Sequence, residues 1–306
     1  MSPAEQLVRL GGIARRPDLS CSRSELHRAV EAGVILRSSR GRYALPTADR
    51  AAATAHGAGG VMCLLSAALH HGWKVRLAPD RPQVSLPRNL RRPPAATGIE
   101  VHRLRLHPGD SDGIATTRDR TLVDCLRLLP PTDALAVVDS ALREGYSPRT
   151  LHALVRDLRG PGSAGARRIA HLADARAANP FESALRAIAL SVPGLAVVPQ
   201  VDIFKAGEFL GRPDLIDERL RMVIEAESFE WHGGTAALTA DARRFNALAL
   251  DDWLVLRFTW IDVIHDPVAV RCVLEAAVLQ RTNRCGCEER RLSVAPSAAL
   301  VTIGPF

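Results

Sequence analysis

The 306-residue sequence predicts a multidomain chain of mixed α+β and α/β class. Its length exceeds one ordinary core, because domains commonly hold ~100 to 200 residues, so two or three units are expected. Hydrophobic residues at 47% and charged residues at 24% match folded domains with enough apolar material for a core in each. Helix and strand signals also alternate, from a capped helix and an Arg-rich hairpin near the N-terminus to two extended acidic runs near residue 220.

Residues 1–48 read as a small helical unit ending in a hairpin, the pattern of a winged helix-turn-helix. Ser22 and Glu25 have capping-box spacing, in which a hydroxyl and a carboxylate three residues apart satisfy each other's free amides, so a helix is expected there. Leu26, Ala29 and Val30 form its inner stripe, Arg23, His27 and Arg28 point elsewhere, and Gly33 supplies the stop. This is the candidate recognition helix. Short strand-like runs at 34–37 and 42–45 flank Ser38-Ser39-Arg40-Gly41, so Arg37, Arg40 and Arg42 are expected to crown a wing able to straddle a phosphate backbone. The plainer alternative is a solvated basic hairpin.

The formal charge of +7 suggests a polyanionic partner. Only Lys74 and Lys205 are lysines among 40 basic residues, so with the abundant alanine the 38 arginines also fit the codon bias of a G+C-rich genome. Arginine count alone therefore carries little.

Residues 49–178 read as a mixed α/β middle region with a helix at 61–73, strands near 83–86 and 99–106, and then several helices. Arg120 and Asp124, at i and i+4 of a helix start, are expected to pair with each other rather than with a partner. His70 and His71 are adjacent and so lie on different helix faces, which disfavours a shared metal. The six cysteines offer no four-ligand zinc spacing and read as free thiols, Cys285 and Cys287 as part of a loosely ordered tail over 283–306. The N-terminal run lacks the ~7 to 15 apolar residues of a signal segment, and nowhere do ~18 apolar residues run together. A cytoplasmic protein without a membrane partner or a small-molecule cofactor is the expectation.

Chemistry concentrates over 179–282. Asn179 or Pro180 starts a helix with the stripe Phe181, Leu185, Ile188 and Ala189, placing Glu182 on a separate face. A strand at 196–200 is followed by runs at 211–217 and 220–227 that read as an antiparallel hairpin. Side chains alternate along a strand, so Glu225 and Glu227 share a face. Carboxylates gathered on an otherwise apolar strand repel one another, and a divalent cation relieves this directly. Magnesium, or manganese in its place, suits such a site because it takes hard oxygen ligands, one or two carboxylates with water and substrate phosphate completing the shell. Each position has a plainer reading: Glu182 as a helix-start carboxylate, Asp241 with Arg244 as a surface pair, Arg257 as a brace for the sheet, and Trp253, Leu254, Leu256 and Phe258 as core.

Two resemblances bear on these segments. Ser22-Arg23-Ser24 through Gly33, then Gly41-Arg42-Tyr43-Ala44-Leu45, with Thr116 through Arg120-Thr121-Leu122-Val123-Asp124 further on, resemble the winged-helix and middle regions of AbiEi-type antitoxins. Ile13 to Cys21 is short for that family and holds Pro17, so the helix before the recognition helix is expected to shrink to a turn. The run from Asn179 to Val263 resembles Vsr-like endonuclease domains of the PD-(D/E)XK superfamily, restriction-endonuclease-like in fold. The match rests on Glu182, Pro213-Asp214, Glu225-Ala226-Glu227, His232, Asp241-Ala242-Arg243-Arg244-Phe245-Asn246-Ala247-Leu248 and Asp252-Trp253-Leu254-Val255-Leu256-Arg257-Phe258.

The second resemblance implies that Asp214 and Glu225 ligate the metal and that Glu182 and Glu227 complete an acidic cluster. It also implies that His232 positions water or moves a proton and that Arg244 holds phosphate or a carboxylate. Glu227 stands where the superfamily has a lysine, and Ser228 where a glycine is common; both bear on rate rather than fold. The implied activity is metal-dependent hydrolysis of DNA phosphodiesters in repair or defence. The alternative is an antitoxin-like transcriptional repressor, with DNA and a cognate toxin as partners and an inactive nuclease fold as scaffold. An RNA-processing nuclease is a third reading.

Overall fold

The computed structural model describes residues 1–88, 98–227 and 235–293, the side chains of 235–238 and 284–293 excepted. The fold is a mixed α/β arrangement of helices and small sheets in two compact units, Met1–Ala184 and Leu185–Phe306. Among the described residues no helix is long and apolar enough to cross a membrane.

The first unit opens with α1 (Pro3–Arg9), β1 (Ile13–Arg15), a 3-10 turn at Arg16–Asp18, α2 (Arg23–Glu31), β2 (Leu36–Ser39) and β3 (Arg42–Ala44). Both helices begin on a capping box: Ser22 Oγ accepts from the Glu25 amide at 3.2 Å and Glu25 Oε2 accepts from the Ser22 amide at 2.7 Å, and Ser2 with Glu5 repeats the exchange. Leu26 is buried against Leu7, Leu19 and Ile35, with Ala29 and Val30 packed beside it, so the stripe inferred for this helix faces the core. The segment ahead of α2 is the expected turn, in which Pro17 occupies a 3-10 position. β3 lies between β1 and β2 and is antiparallel to both.

The chain continues through α3 (Arg50–Gly57), β4 (Val61–Met62), α4 (Leu64–His70), β5 (Gln83–Ser85), β6 (Glu100–His102), α5 (Arg118–Leu128), α6 (Pro131–Arg143), α7 (Pro148–Arg156) and α8 (Ser163–Leu172). The helix expected over 61–73 is corrected. Val61 and Met62 are extended, because the Met62 amide donates to the Ile114 carbonyl and its own carbonyl accepts from the Thr116 amide, so helix begins only at Leu64. β5 pairs antiparallel with β4 and parallel with β6. A Cβ on Gly60 would sit 2.5 Å from the Ser85 carbonyl oxygen, a contact no side chain permits, so glycine lets β5 approach here. One apolar core joins Ile13 and Ala44 of the hairpin sheet to Ala55, Met62, Val84 and Ile99, spanning the boundary expected at 48. Arg120 donates through Nε to Asp124 at 2.8 Å and through Nη1 to Asp110 at 2.8 Å, the helix-start pairing inferred for it, extended to a loop.

The second unit follows a division that falls within α9 (Pro180–Ala189). Next come β7 (Val198–Pro199), β8 (Ile203–Lys205), β9 (Glu208–Gly211), β10 (Leu215–Asp217), β11 (Met222–Glu227), α10 (Thr235–Leu250), β12 (Leu254–Thr259), α11 (Trp260–His265) and α12 (Pro267–Ser293). The main sheet has the order β12-β11-β10-β7, antiparallel except for the parallel pair β11 and β12. The expected hairpin is present as β10 and β11, in register Leu215↔Ile224. Gly211 belongs instead to β9, which pairs with β8 across a two-residue turn at Ala206-Gly207. α12 runs on to Ser293, so the tail expected from 283 begins as helix; residues 294–306, and the Cys285 and Cys287 side chains, lie outside the described residues.

The sheet packs Ile216, Val223 and Trp253 with Ile203 and with Leu248 of α10. Phe258 is buried as expected, whereas Leu254 and Leu256 are only half-buried. Burying Leu-sized side chains stabilises by about 1.5 to 3 kcal/mol each.

Candidate functional site

The acidic residues converge where β10 meets β11. Leu215 opposes Ile224, so the next step in each strand brings Asp214 beside Glu225. The Asp214 amide donates to Glu225 Oε2 at 3.1 Å, and the Ala226 amide donates to Asp214 Oδ2 at 2.8 Å. Gln200, at the end of β7, donates through Nε2 to Asp214 Oδ1 at 3.1 Å. Arg244 of α10 donates through Nη1 to Glu225 Oε1 at 2.9 Å and through Nη2 to Asp241 Oδ1 at 3.4 Å. Each of the four carboxylate oxygens thus accepts one hydrogen bond and keeps a second lone pair.

Burial pushes the Glu225 carboxyl up to about 7, and repulsion from Asp214 adds to it, while Arg244 opposes the shift. Asp214 is raised as well, first by burial, against the pull of the hydrogen bonds that it accepts. Arg244 cancels one of the two charges when both acids ionise, and the other stays uncompensated in a site where Glu225 is only 5% exposed. Such a pair titrates as a unit.

Glu227 shares the face of Glu225, as alternation requires, but its carboxylate is engaged by Arg257 of β12, whose Nε donates to Oε1 at 2.6 Å. Glu182, placed by sequence on a face apart from its helix stripe, is buried at 6% exposure. Its carboxylate accepts from the Ala178 amide at 2.8 Å and from Asn179 Nδ2 at 2.7 Å, which caps α9. His232 lies outside the described residues, as do Ser228 and Trp231. Among the described residues no group of three or more His, Cys, Asp or Glu side chains gathers to hold a metal, so the candidate donor set is the pair Asp214 and Glu225.

Three supporting residues escaped the sequence reading. Gln200 carries φ of 55°, and its amide and side chain both bind Asp214. Phe245 packs against the guanidinium groups of both Arg244 and Arg257, 4.7 and 4.3 Å from its ring centre, and so helps place both arginines. Buried Asp217 accepts from the Leu220 amide at 3.0 Å and the Ala196 amide at 2.8 Å, fixing the turn after β10. The last had a signal: an aspartate three residues before a turn amide is a common side-chain cap.

In the first unit Arg23, His27 and Arg28 stand exposed on α2, with His27 3.4 Å from Glu31, while Arg37 and Arg40 are exposed on the β2–β3 hairpin. Arg42 does not join them at the tip. It is half-buried, with Nη1 3.5 Å from His56 Nδ1. His70 and His71 meet edge to face at 5.6 Å, and His71 Nε2 donates to the Thr116 carbonyl. Cys21, Cys63 and Cys125 are free and buried, and Cys272 is free and exposed.

No protein-family model matches the chain. A crystal structure of the RV2827C protein from Mycobacterium tuberculosis covers 67% of this chain and 87% of its own at 17% identity, but with a TM-score of 0.31 it carries no argument. Two sequence relatives, the uncharacterized proteins MT2308 of M. tuberculosis strain CDC 1551 and Rv2248 of strain H37Rv, are each 30% identical over 267 residues, spanning 80% of this chain and 93% of their own length. The capped α2 helix, the β10–β11 hairpin and its acid pair therefore belong to a member of the family of these two mycobacterial proteins.

Proposed function

We propose that the second unit is a metal-dependent phosphodiesterase domain of the PD-(D/E)XK, Vsr-like kind, acting on DNA. The observation that carries this reading is the adjacency of Asp214 and Glu225, a half-buried and a buried carboxylate where β10 meets β11, with raised proton affinity and one positive charge between them. Hard oxygen donors with free lone pairs and an unbalanced charge fit magnesium or manganese. Asp214 and Glu225 would hold the ion, which when bound supplies Lewis acidity and a water of lowered pKa.

The protein's own contributions follow from the hydrogen bonds. The Ala226 amide and Gln200 fix the Asp214 carboxylate, while Arg244 and the Asp214 amide fix that of Glu225, so both acids are oriented before any ligand arrives. Arg244, held against Phe245, also offers a guanidinium to a phosphate oxygen. His232 is proposed as the proton carrier. The exposed arginines Arg23, Arg28, Arg37 and Arg40, with His27, are proposed to hold duplex DNA on the first unit as a winged helix-turn-helix does.

A second reading has an observation of its own. Glu227 is engaged by Arg257 and Glu182 by the start of its helix, which leaves two carboxylates of the four in the implied acidic cluster. An antitoxin-like repressor with a cognate toxin partner and an inactive nuclease scaffold needs no more.

The test offers the full-length protein supercoiled, linear, mismatched and single-stranded DNA, and RNA, with magnesium or manganese, beside Glu225→Gln. Cleavage that needs the metal and is lost in Glu225→Gln is the expected result. Equal cleavage by parent and variant, or no cleavage of any substrate while DNA is still bound, would sink the nuclease in favour of the repressor.

A further inference from the structure

A cavity of about 830 Å³ opens in the first unit between the hairpin sheet of β1 and β3 and the wall formed by Gly60, Leu86, Leu104 and Ile114. Its size falls within the range of small-molecule sites, roughly 300 to 1,000 Å³. Both sides are anchored, because Ile13 and Ala44 of the hairpin sheet share a core with Met62, Val84 and Leu86.

The charges around this cavity do not balance. Arg15, Arg42, Arg88 and Arg105 line it against two carboxylates, Asp18 and Asp112. Asp18 is occupied by Arg15 at 3.2 Å, and Asp112 Oδ1 accepts from the Ile114 and Ala115 amides. Arg42 is the residue that sets the problem. Among the described residues no carboxylate lies within ion-pair distance of it, although its side chain is half-buried. It is steered instead by His56, which is buried and donates from Nε2 to the Ala14 carbonyl at 2.9 Å. That bond leaves Nδ1 as an acceptor facing Arg42 Nη1 at 3.5 Å. Burial pushes the His56 imidazole down, so it remains neutral and adds no competing charge, and burial followed by the nearby Arg15 lowers Arg42 in the same sense. A half-buried, unpaired guanidinium is costly unless something anionic meets it.

We propose that this cavity binds a small organic anion, a carboxylate or phosphate group on an apolar body, with Arg42 as the anchor for the charge and Leu86, Leu104 and Ile114 as the seat for the body. Arg88 and Arg105 at the rim draw the anion in. The site is independent of the acid pair on β10 and β11, and it reassigns Arg42 from a contact to DNA to a contact to a ligand. The anchor sits on β3, the strand next in the sheet to β2 with Arg37.

Calorimetry on the full chain tests this with 2-naphthoate, phenyl phosphate, inorganic phosphate and neutral 2-naphthamide. Saturable binding of naphthoate or phenyl phosphate at one site per chain is expected, at least tenfold tighter than that of the amide. The acid that binds more tightly identifies the carboxylate or the phosphate source, and inorganic phosphate should bind more weakly than phenyl phosphate because it lacks the apolar body. Arg42→Gln should weaken binding at least tenfold, and the exposed Arg105→Gln by a smaller factor. If Arg42→Gln fails to fold, Arg105→Gln together with Arg15→Gln carries the test, since both side chains are exposed. Amide and acid binding alike, affinity unchanged in these variants, or no saturable binding of any anion would overturn the proposal.

Discussion

Replacing Glu225 by Gln gives the sharpest check on the electrostatics of the acid pair. The carboxyl is raised from 4.5 to about 7, chiefly by burial, so the folded state holds a proton that the unfolded chain releases. Below about pH 4.5 both states are protonated and the shift contributes nothing. As pH rises from 4.5 to 7 the unfolded chain ionises Glu225 while the folded state keeps it protonated, so stability falls, and above 7 the full penalty is present. At ~1.36 kcal/mol per pKa unit, the change between about pH 5 and pH 8 is on the order of 2 kcal/mol, carried by Asp214 and Glu225 together because they titrate as a unit. Glutamine does not titrate, so the stability of Glu225→Gln relative to the parent should rise by that amount over the interval. Any constant offset from the altered contact with Arg244 drops out of the difference. Urea unfolding of both proteins at the two pH values measures the change, and carboxyl ¹³C NMR of the parent locates the midpoint. A stability difference that is flat with pH, or a midpoint near 4.5, would refute the claim that the site holds uncompensated charge.

Two further outcomes are expected. Changing Arg37 and Arg40 to Ala should lower the log-log salt dependence of DNA binding by about 0.9 for each phosphate that the hairpin no longer neutralises, as read by titration at several salt concentrations; an unaltered slope would remove the hairpin from DNA recognition. Leu215→Ala, at a fully buried position of β10, should lower unfolding stability by about 2 to 5 kcal/mol in urea, and a loss under 1 kcal/mol would mean that the strand is not part of the core.

Local rules explain why some of this architecture could be read from the chain. Ser22 and Glu25 lie within one helical turn, so their capping exchange is visible in sequence, and the two-residue period placed Glu225 and Glu227 on one face of β11. Partners distant in sequence set the rest. Val61 and Met62 are apolar enough for a helix and become extended only because Ile114 and Thr116 supply backbone partners. The burial of Glu182 depends on what surrounds α9, which helical periodicity does not report. Arg42 looked like Arg37 and Arg40 in a basic hairpin, and only the fold turns it toward His56, fourteen residues on. The β8–β9 hairpin was hidden, since its two-residue turn puts Ala206 at a positive φ of 50°, where Asn, Asp or Gly would have signalled the turn, and only Gly207, at 88°, follows the pattern.

The ring of Phe245 contacts both Arg244 and Arg257, and these arginines answer Glu225 and Glu227 respectively. Mutational drift at the two acidic positions is therefore not independent. A substitution that shrinks Phe245 frees both cations together, so loss of either glutamate is tolerated differently once the ring is gone. Chains that diverge from this one should exchange residues 225, 227, 244, 245 and 257 as a correlated set, with the aromatic residue the last of them to change.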